Sequence, residues 1–411
     1  MPQKRIAANT VYQLLTRIIS SGIGLFITFL IAGYLHLGGY GEFTTITTFV
    51  GLFYLLLDFG LNAIFLQHEI TPQRFLSLFY FRILLALVLI IIVNTIAFLL
   101  PDRTVFGGFT SQTRLGIAIF SLTLLFQSIQ LSASSLFQKN LRYDFSLWAT
   151  LGGSIATCLV IIGFITLSYP LPSLLVAYGI GAAVTAGLML YFIKQPLTPI
   201  TIDKSFITQI TINSLPLGLM LLCNLIYFRI DVMLLSLLRT PIDVGIYGYA
   251  YKFFDFFIAV PLFLSNSLYP LLLQSSKNSQ KFLLVIRKYM PIFIGLSFLI
   301  VIPAWILAPL IAWVRPEFIE SVSPFRILLL SLPFFFATSL LQWVLITLKQ
   351  QKYLFYIYAI STVFNILLNI WFIPVASYHA SAIITGVSEA LVFGLLVVKF
   401  MWAQKNMQHG R

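Results

Sequence analysis

The chain has 411 residues, of which 59% are hydrophobic and only 9% are charged, whereas soluble domains are about 25% charged. This composition excludes an ordinary soluble globular fold, and the mean hydropathy of +0.97 indicates a protein that crosses the membrane several times. The net charge of +13 is assigned to cytoplasmic loops and a cationic interior. Membrane lipid is therefore an expected partner and nucleic acid is not.

Apolar runs follow one another along the whole chain, separated by turn sequences such as HLGGYG and SYPLP. Each run has roughly the 20 residues that a membrane-spanning helix needs. The runs lie near 11–35, 42–66, 76–100, 114–137, 146–168, 171–193, 207–238, 244–273, 288–313, 322–348, 353–375 and 379–402. The sequence therefore predicts an all-α integral membrane protein with about twelve transmembrane helices.

The segment KQPLTPITIDKS contains two prolines and divides the runs into two equal sets. Proline-rich segments of this kind are typical of linkers. We predict an N-terminal six-helix bundle over 1–195, a cytoplasmic linker over 196–206, and a C-terminal six-helix bundle over 207–411.

Basic residues between the runs fall almost entirely on the side of the N-terminus, and the opposite side carries only Arg103, Arg239 and Arg315. Because cytoplasmic loops are enriched in lysine and arginine, both termini are predicted to be cytoplasmic. The loops are too short to form a catalytic domain. No nucleotide-binding glycine loop, HExxH, CxxC or GxSxG occurs. The sequence thus predicts a protein that is not an enzyme, holds no metal and does not use ATP directly.

Charged side chains at bilayer depth are costly and usually face a cavity or a partner. Arg17 shares a helical face with small and polar residues, including Ser20 and Thr28. That face suits close helix packing and a water-filled cavity equally well. Arg82 and Arg114 lie within a turn or two of predicted helix ends, from which their side chains can extend to the membrane surface.

Four charges lie close together in the stretch from 227 to 255. Arg229 and Asp231 are two residues apart, about 200° around a helix, so they do not neutralise each other along one face. At least one of them needs another partner, water or a ligand. Lys252 and Asp255 are three residues apart and can form a local ion pair.

Two acids and two amides complete the set of polar groups within the runs. Asp58 and Glu389 are single acids in apolar surroundings, where each can titrate, bind a cation or accept a hydrogen bond from an arginine. Asn365 and Asn369 are four residues apart on one helix face. They suit either hydrogen bonding between helices or coordination of a cation by their carboxamide oxygens.

Several stretches together resemble the Wzx-type polysaccharide flippases of the multidrug/oligosaccharidyl-lipid/polysaccharide (MOP) exporter superfamily. The central signature is RIDVMLLSLLRTPIDVGIYGYAYKFFD (229–255), and the first half contains LGGYGEF (37–43) and DFGLN (58–62). FNILLNIWFIP and HASAIITGVSEALVF resemble the eleventh and twelfth helices of these flippases. Ala380-Ser381 stands where family members often have a glycine-alanine pair. The resemblance covers nearly the whole chain.

The resemblance implies a MATE-like fold in the bacterial inner membrane, with two bundles around a V-shaped cavity. It implies transport of undecaprenyl-pyrophosphate-linked oligosaccharide from the cytoplasmic to the outer leaflet by alternating access. Arginines would hold the diphosphate, so Arg17 and Arg229 are the first substrate-binding candidates and Arg82 and Lys252 the next.

A Na⁺ or H⁺ gradient is expected to drive the cycle without a resident cofactor. The ion-coupling candidates are the acids and amides of the runs: Asp58, Asp231, Asp255, Asn365, Asn369 and Glu389. A polysaccharide polymerase and a chain-length regulator are expected partners. Two alternatives stay open, a multidrug antiporter of the same fold and a membrane glycan polymerase; the short loops count against the polymerase.

Overall fold

The computed structural model describes residues 2–69, 71–102, 107–193, 202–276, 278–313 and 315–408. Side chains are described between residues 19 and 405 of these ranges, together with those of Tyr12 and Thr16. The described chain is built from helices, apart from one isolated bridge between Asp102 and Phe109.

The first of two compact units comprises Met1–Leu225. Threonine side chains begin two of its helices, because Thr71 and Thr110 accept hydrogen bonds from backbone N–H groups that lack a helical partner. The helices are α1 (Pro2–Asp58), α2 (Leu61–Phe65), α3 (Pro72–Leu99), α4 (Ser111–Ser121), α5 (Thr123–Lys139), α6 (Tyr143–Thr166), α7 (Leu171–Phe192) and the first part of α8 (Lys204–Leu238).

The second unit comprises Ile226–Arg411. Its central element is α11. In the span that contains it, Pro316–Thr347, 67% of the most apolar stretch is buried inside the protein, a larger share than in any other candidate span of the described chain. The elements are the rest of α8, α9 (Pro241–Ser275), α10 (Ser279–Leu307), two short 3₁₀ turns (Ala308–Ala312 and Pro316–Ser321), α11 (Val322–Thr347) and α12 (Gln351–Gln408).

Ten helical segments of the described residues are long and apolar enough to cross a membrane, and the predicted all-α membrane fold is confirmed. One of them, α12, folds back on itself at Ser377, whose φ is 48°. Asn365 donates a hydrogen bond to Ser388 at 3.1 Å, although a straight helix would separate them by about 34 Å. A similar non-helical residue, His36, interrupts α1. The total of twelve spans stays a prediction.

The two units divide inside α8, between Leu225 and Ile226. The first part of α8 packs on the first unit, because a side chain at Gly218 would overlap the Phe59 ring. Of the predicted linker, residues 196–201 lie outside the described residues. The boundaries predicted at 1–195, 196–206 and 207–411 stay predictions.

Candidate functional site

The turn between α8 and α9 holds three helices of the second unit in place. Thr240 and Asp243 form a reciprocal cap at the start of α9. The other oxygen of Asp243 accepts a hydrogen bond of 2.7 Å from Ser377, the residue at which α12 folds back. Arg239 donates to the backbone oxygens of Ile373 and Pro374 just before that point. This end of α12 is therefore fixed to the α8–α9 turn.

Arg229 of α8 is paired with Asp255 of α9. Its Nη2 donates to both carboxylate oxygens, at 3.0 and 3.2 Å, and its guanidinium lies 5.2 Å from the centre of the Tyr251 ring. Both partners are about one-third exposed, at 33% and 30% of their side chains. The pair is therefore formed at a surface that a ligand can reach.

The alternative of a local Lys252–Asp255 ion pair is wrong for this structure. Asp255 is held by Arg229 from the neighbouring helix, whereas the Lys252 side chain is exposed. A guanidinium satisfies both carboxylate oxygens with little loss of conformational freedom, and a flexible ammonium does not. Within the part of the chain that the structure describes, no acid lies within ion-pairing distance of Lys252.

Asp231 makes separate interactions from those of Arg229, as predicted from their spacing. Its carboxylate is 2% exposed and accepts hydrogen bonds from its neighbour's backbone N–H at 2.7 Å and from the Tyr247 hydroxyl. The Thr385 hydroxyl of α12 lies 3.5 Å from the same carboxylate. A buried acid is thus held by two hydroxyls, with no basic side chain of the described residues in direct contact.

Glu389 has an equivalent environment one helical turn further along α12. It is 2% exposed and accepts hydrogen bonds from Tyr227 at 2.8 Å and from Thr338 of α11. Tyr227 precedes Asp231 by one turn on α8, so the two acids belong to one buried polar layer between α8 and the second part of α12. We call this layer the acid–hydroxyl cluster; it comprises Tyr227, Asp231, Tyr247, Thr338, Thr385 and Glu389.

The four hydroxyl residues of this cluster were not among the sequence candidates. A signal for them exists in the sequence, because Tyr227 and Asp231 are four residues apart, as are Thr385 and Glu389. Such spacing places each hydroxyl on the same helix face as its acid. Which hydroxyl contacts which acid depends on the packing of α8 against α12.

Asn365 and Asn369 bond to each other and across the fold of α12. Asn369 donates to the side-chain oxygen of Asn365 at 2.9 Å, and Asn365 donates to Ser388 at 3.1 Å. Ser381 donates to the oxygen of Asn369 at 3.2 Å. Both carboxamide oxygens therefore accept hydrogen bonds from protein groups. Of the two roles predicted for these amides, the structure shows hydrogen bonding between helices rather than oxygens left open for a cation.

In the first unit, Arg82 of α3 is buried with 0% exposure, so the alternative that it extends to the membrane surface is wrong. Its Nη2 contacts Asp58 at 2.8 Å and Asn62 at 2.9 Å, and its Nε donates to the oxygen of Leu57 at 3.3 Å. Asp58 is thus the hydrogen-bond acceptor of an arginine, one of the options predicted for it. The side chain of Arg17 lies outside the described residues.

No group of three or more His, Cys, Asp or Glu residues in the described ranges is arranged to hold a metal ion. The buried acids are instead surrounded by hydroxyl groups, which suits binding and release of a proton or a monovalent cation.

Comparison with known proteins identifies the family. Residues 6–276 match the family described as "Polysaccharide biosynthesis protein", and residues 216–371 match the family MatE. A search of curated proteins finds no significant match.

Three solved structures illustrate the shared fold. The lipid II flippase MurJ in an inward closed conformation is 15% identical, with a TM-score of 0.73, and the match covers 95% of this chain and 87% of that chain. An inward-facing multidrug resistance MATE transporter of the MOP superfamily is 13% identical, with a TM-score of 0.74 and 98% coverage of both chains. A MOP superfamily transporter from Pyrococcus furiosus is also 13% identical, with a TM-score of 0.66 and coverage of 99% and 96%.

The solved structures named above are a flippase and transporters, so the fold agrees with the prediction that the chain is not an enzyme and gives no support to the glycan polymerase alternative. The family match extends over more than half of the sequence, and the matched structures share the MATE-like fold along nearly all of it. The chain therefore belongs to the polysaccharide biosynthesis protein family, and its fold is that of the MOP superfamily transporters.

Proposed function

We propose that the protein is a flippase that moves undecaprenyl-pyrophosphate-linked oligosaccharide repeat units from the cytoplasmic to the outer leaflet by alternating access. One observation carries the proposal, an exposed and unbalanced positive charge deep in a spanning helix. Lys252 lies about 16 Å along α9 from Pro241, near the middle of a hydrocarbon layer about 30 Å thick.

An exposed lysine at this depth is costly in contact with lipid tails. The surface that carries Lys252 therefore faces water or an anion during at least part of the cycle. Arg229 and Asp255 neutralise each other, which leaves Lys252 without an ion-pair partner among the described residues, and Arg229 is partly exposed on the same unit. A diphosphate, with two anionic groups, is the ligand that this arrangement favours. Arg17 stays a candidate from the sequence.

The acid–hydroxyl cluster is our candidate for coupling to an ion gradient. Asp231 and Glu389 are buried and have no basic contact among the described residues, whereas Asp58 and Asp255 are each paired with an arginine. A carboxylate in such surroundings binds a proton or a Na⁺ ion more readily than a paired one. Binding at one acid would change the hydrogen bonds that join α8, α11 and α12.

Flipping in liposomes tests the main proposal. A fluorescent lipid-linked oligosaccharide should cross the bilayer only in the presence of the protein, and Lys252→Gln should slow this movement about tenfold or more, because a charge-assisted contact is lost. Lys252→Arg should keep most of the rate. Lys281→Gln, at an exposed position near the start of α10, is the matched control. Absence of movement with the wild-type protein, or a normal rate with Lys252→Gln, contradicts the proposal.

Imposed gradients test the coupling. The wild-type rate should respond to a pH or a Na⁺ gradient, and the ion that produces the response is the coupling ion. Asp231→Asn and Glu389→Gln should remove the response while movement without a gradient continues. A response that persists in both variants would assign the coupling to other residues.

The second candidate is a small-molecule antiporter of the multidrug type. It is favoured by the match of residues 216–371 to the MatE family and by two buried acids that could bind an organic cation. Overexpression should then raise resistance to organic cations in a susceptible strain, and Asp231→Asn should abolish that resistance. Unchanged susceptibility together with flipping of the lipid-linked substrate would reject this candidate.

We also propose the bacterial inner membrane as the location, with both termini cytoplasmic. In a variant without Cys158 and Cys223, an impermeant thiol reagent added outside should label Trp313→Cys, between α10 and α11, but not Lys349→Cys, between α11 and α12. The reverse labelling would invert the orientation. A polysaccharide polymerase and a chain-length regulator remain predicted partners, and copurification from cells that make the polysaccharide tests them.

A further inference from the structure

The first unit contains a cavity of about 250 Å³ that the proposed function does not use. Residues of α1, α4, α5, α6 and α7 line it. None of the described residues that line it is charged, although the chain as a whole carries a net charge of +13. The described lining therefore suits a neutral ligand better than a diphosphate or an organic cation; the Arg17 side chain, on the same face of α1 as Ser20, lies outside the described residues.

Polar side chains without a protein partner face this cavity. Ser20, Gln127, Thr150 and Ser154 all line it, and none of them hydrogen-bonds to a described residue. The hydroxyl oxygen of Ser20 is itself buried and unsatisfied. The three hydroxyl groups can each donate and accept hydrogen bonds, and the carboxamide of Gln127 has an NH₂ group that donates and an oxygen that accepts. A buried hydroxyl such as that of Ser20 normally has a partner, which a ligand or water can supply, and the partly exposed side chains of Gln127, Thr150 and Ser154 are open to the same ligand.

One wall of the cavity is aromatic. Phe120 lies between Tyr54 and Tyr178, with ring centres separated by 6.4 and 6.0 Å. The Tyr54 hydroxyl is bonded to Thr123 at 2.6 Å, which holds its ring in place. Aromatic faces carry partial negative charge and attract the slightly positive C–H groups of a ligand.

Close packing of α6 on α7 fixes another part of the lining. A side chain at Gly153 would overlap Thr185, and one at Gly181 would overlap Thr157, so both positions require glycine. Gly24 on α1 differs, because a Cβ atom there would meet nothing within 4 Å. Gly24 lines the cavity, so a larger side chain at this position would begin in open space and extend into the cavity.

We propose that this cavity binds one neutral sugar unit of the transported glycan. A sugar ring presents hydroxyl groups around its edge and C–H groups on its face, which match the unsatisfied polar groups and the aromatic wall respectively. The volume is somewhat below the roughly 300–1,000 Å³ of pockets for drug-sized ligands, which corresponds to a single ring rather than a whole oligosaccharide. The inference rests on the proposed function, because it assigns the sugar-binding part of that flippase's substrate.

Ligand-observed NMR with the purified full-length protein tests the binding. Methyl glycosides of glucose, galactose, rhamnose and N-acetylglucosamine are the probes, and saturation transfer should reach at least one of them. Gly24→Leu should abolish the transfer, and Gln127→Leu should weaken binding about three- to tenfold, the effect of one lost hydrogen bond. Gly22→Leu and Gln138→Leu, exposed positions on the same helices outside the cavity, should leave it unchanged.

Three results would overturn the inference. They are no transfer to any glycoside, equal transfer with Gly24→Leu and Gly22→Leu, and displacement of the glycoside by inorganic pyrophosphate. The first would mean that the cavity holds water only, and the last that it is an anion site.

The flipping assay separates this inference from the proposed function. If the sugar site and the proposed function are both right, Gly24→Leu slows the flipping of the lipid-linked oligosaccharide but not the flipping of undecaprenyl pyrophosphate without sugar. If only the sugar site is wrong, Gly24→Leu flips both lipids at the wild-type rate. If the wild-type protein flips neither lipid, the proposed function fails, and the glycoside measurement still decides whether the cavity binds sugar.

Discussion

Breaking the buried ion pair of the first unit should destabilise the protein asymmetrically. Arg82 is 0% exposed, whereas the side chain of Asp58 is 27% exposed and also accepts a backbone hydrogen bond from Asn62 at 3.1 Å. Asp58→Ala leaves a guanidinium without its counter-charge in the protein interior. Arg82→Met leaves a carboxylate that water can still reach, and the methionine occupies much of the vacated space.

The magnitudes follow from this difference in burial. Removing one partner of a buried pair costs about 3–5 kcal/mol when the remaining charge is buried. Asn62 and the Leu57 oxygen still contact Arg82, so we expect Asp58→Ala to lower the free energy of unfolding by about 3 kcal/mol. Arg82→Met should cost about 1 kcal/mol, because the remaining acid stays partly hydrated. The double variant should resemble Arg82→Met.

Unfolding in mixed micelles with increasing SDS, followed by tryptophan fluorescence, measures these differences. The double variant is the decisive comparison, because it should recover about 2 kcal/mol relative to Asp58→Ala. The reasoning is refuted if Arg82→Met is the more damaging single change, or if the double variant is no more stable than Asp58→Ala.

Three further predictions concern other contacts. Gly153→Ala should cost about 1–3 kcal/mol or prevent folding, because its methyl group overlaps Thr185; the same unfolding assay measures it. Asp243→Ala should cost about 1–2 kcal/mol, because its carboxylate no longer accepts from the Thr240 backbone N–H and from Ser377, whereas Ser377→Gly should cost less, because glycine adopts the φ of 48° without strain and this offsets the lost bond to Asp243. Glu389→Gln should stay within about 1 kcal/mol of wild type by the same assay, since the amide still accepts a hydrogen bond; a larger loss would make this residue structural.

Much of the architecture follows from local sequence patterns. The apolar runs, the low charge content and the turn sequences lead directly to an all-α membrane protein. The lipid environment requires each spanning segment to satisfy its own backbone hydrogen bonds, which leaves helices as the solution for such runs. The central stretch from Arg229 to Asp255, together with the motifs of the first half and of the last two predicted helices, indicated the superfamily.

Partners of the intramembrane charges could not be derived in the same way. Spacing along one helix suggested that Lys252 pairs with Asp255, but α8 brings Arg229 to that acid instead. Arg82 was expected to reach the membrane surface, but Asp58, at the end of α1, holds it inside. In both cases the partner lies on another helix, and helical periodicity contains no information about neighbouring helices.

The number and character of the helices therefore depend on composition and periodicity, which are properties of short segments in a lipid solvent. The acid–hydroxyl cluster, the neutral cavity and the ion pairs depend on contacts between residues more than 15 positions apart, such as Tyr227 with Glu389. These contacts exist only once the helices pack. A single sequence can thus show that charges lie within the membrane, while the packed structure decides which are neutralised, which are held by hydroxyls and which, like Lys252, are left exposed.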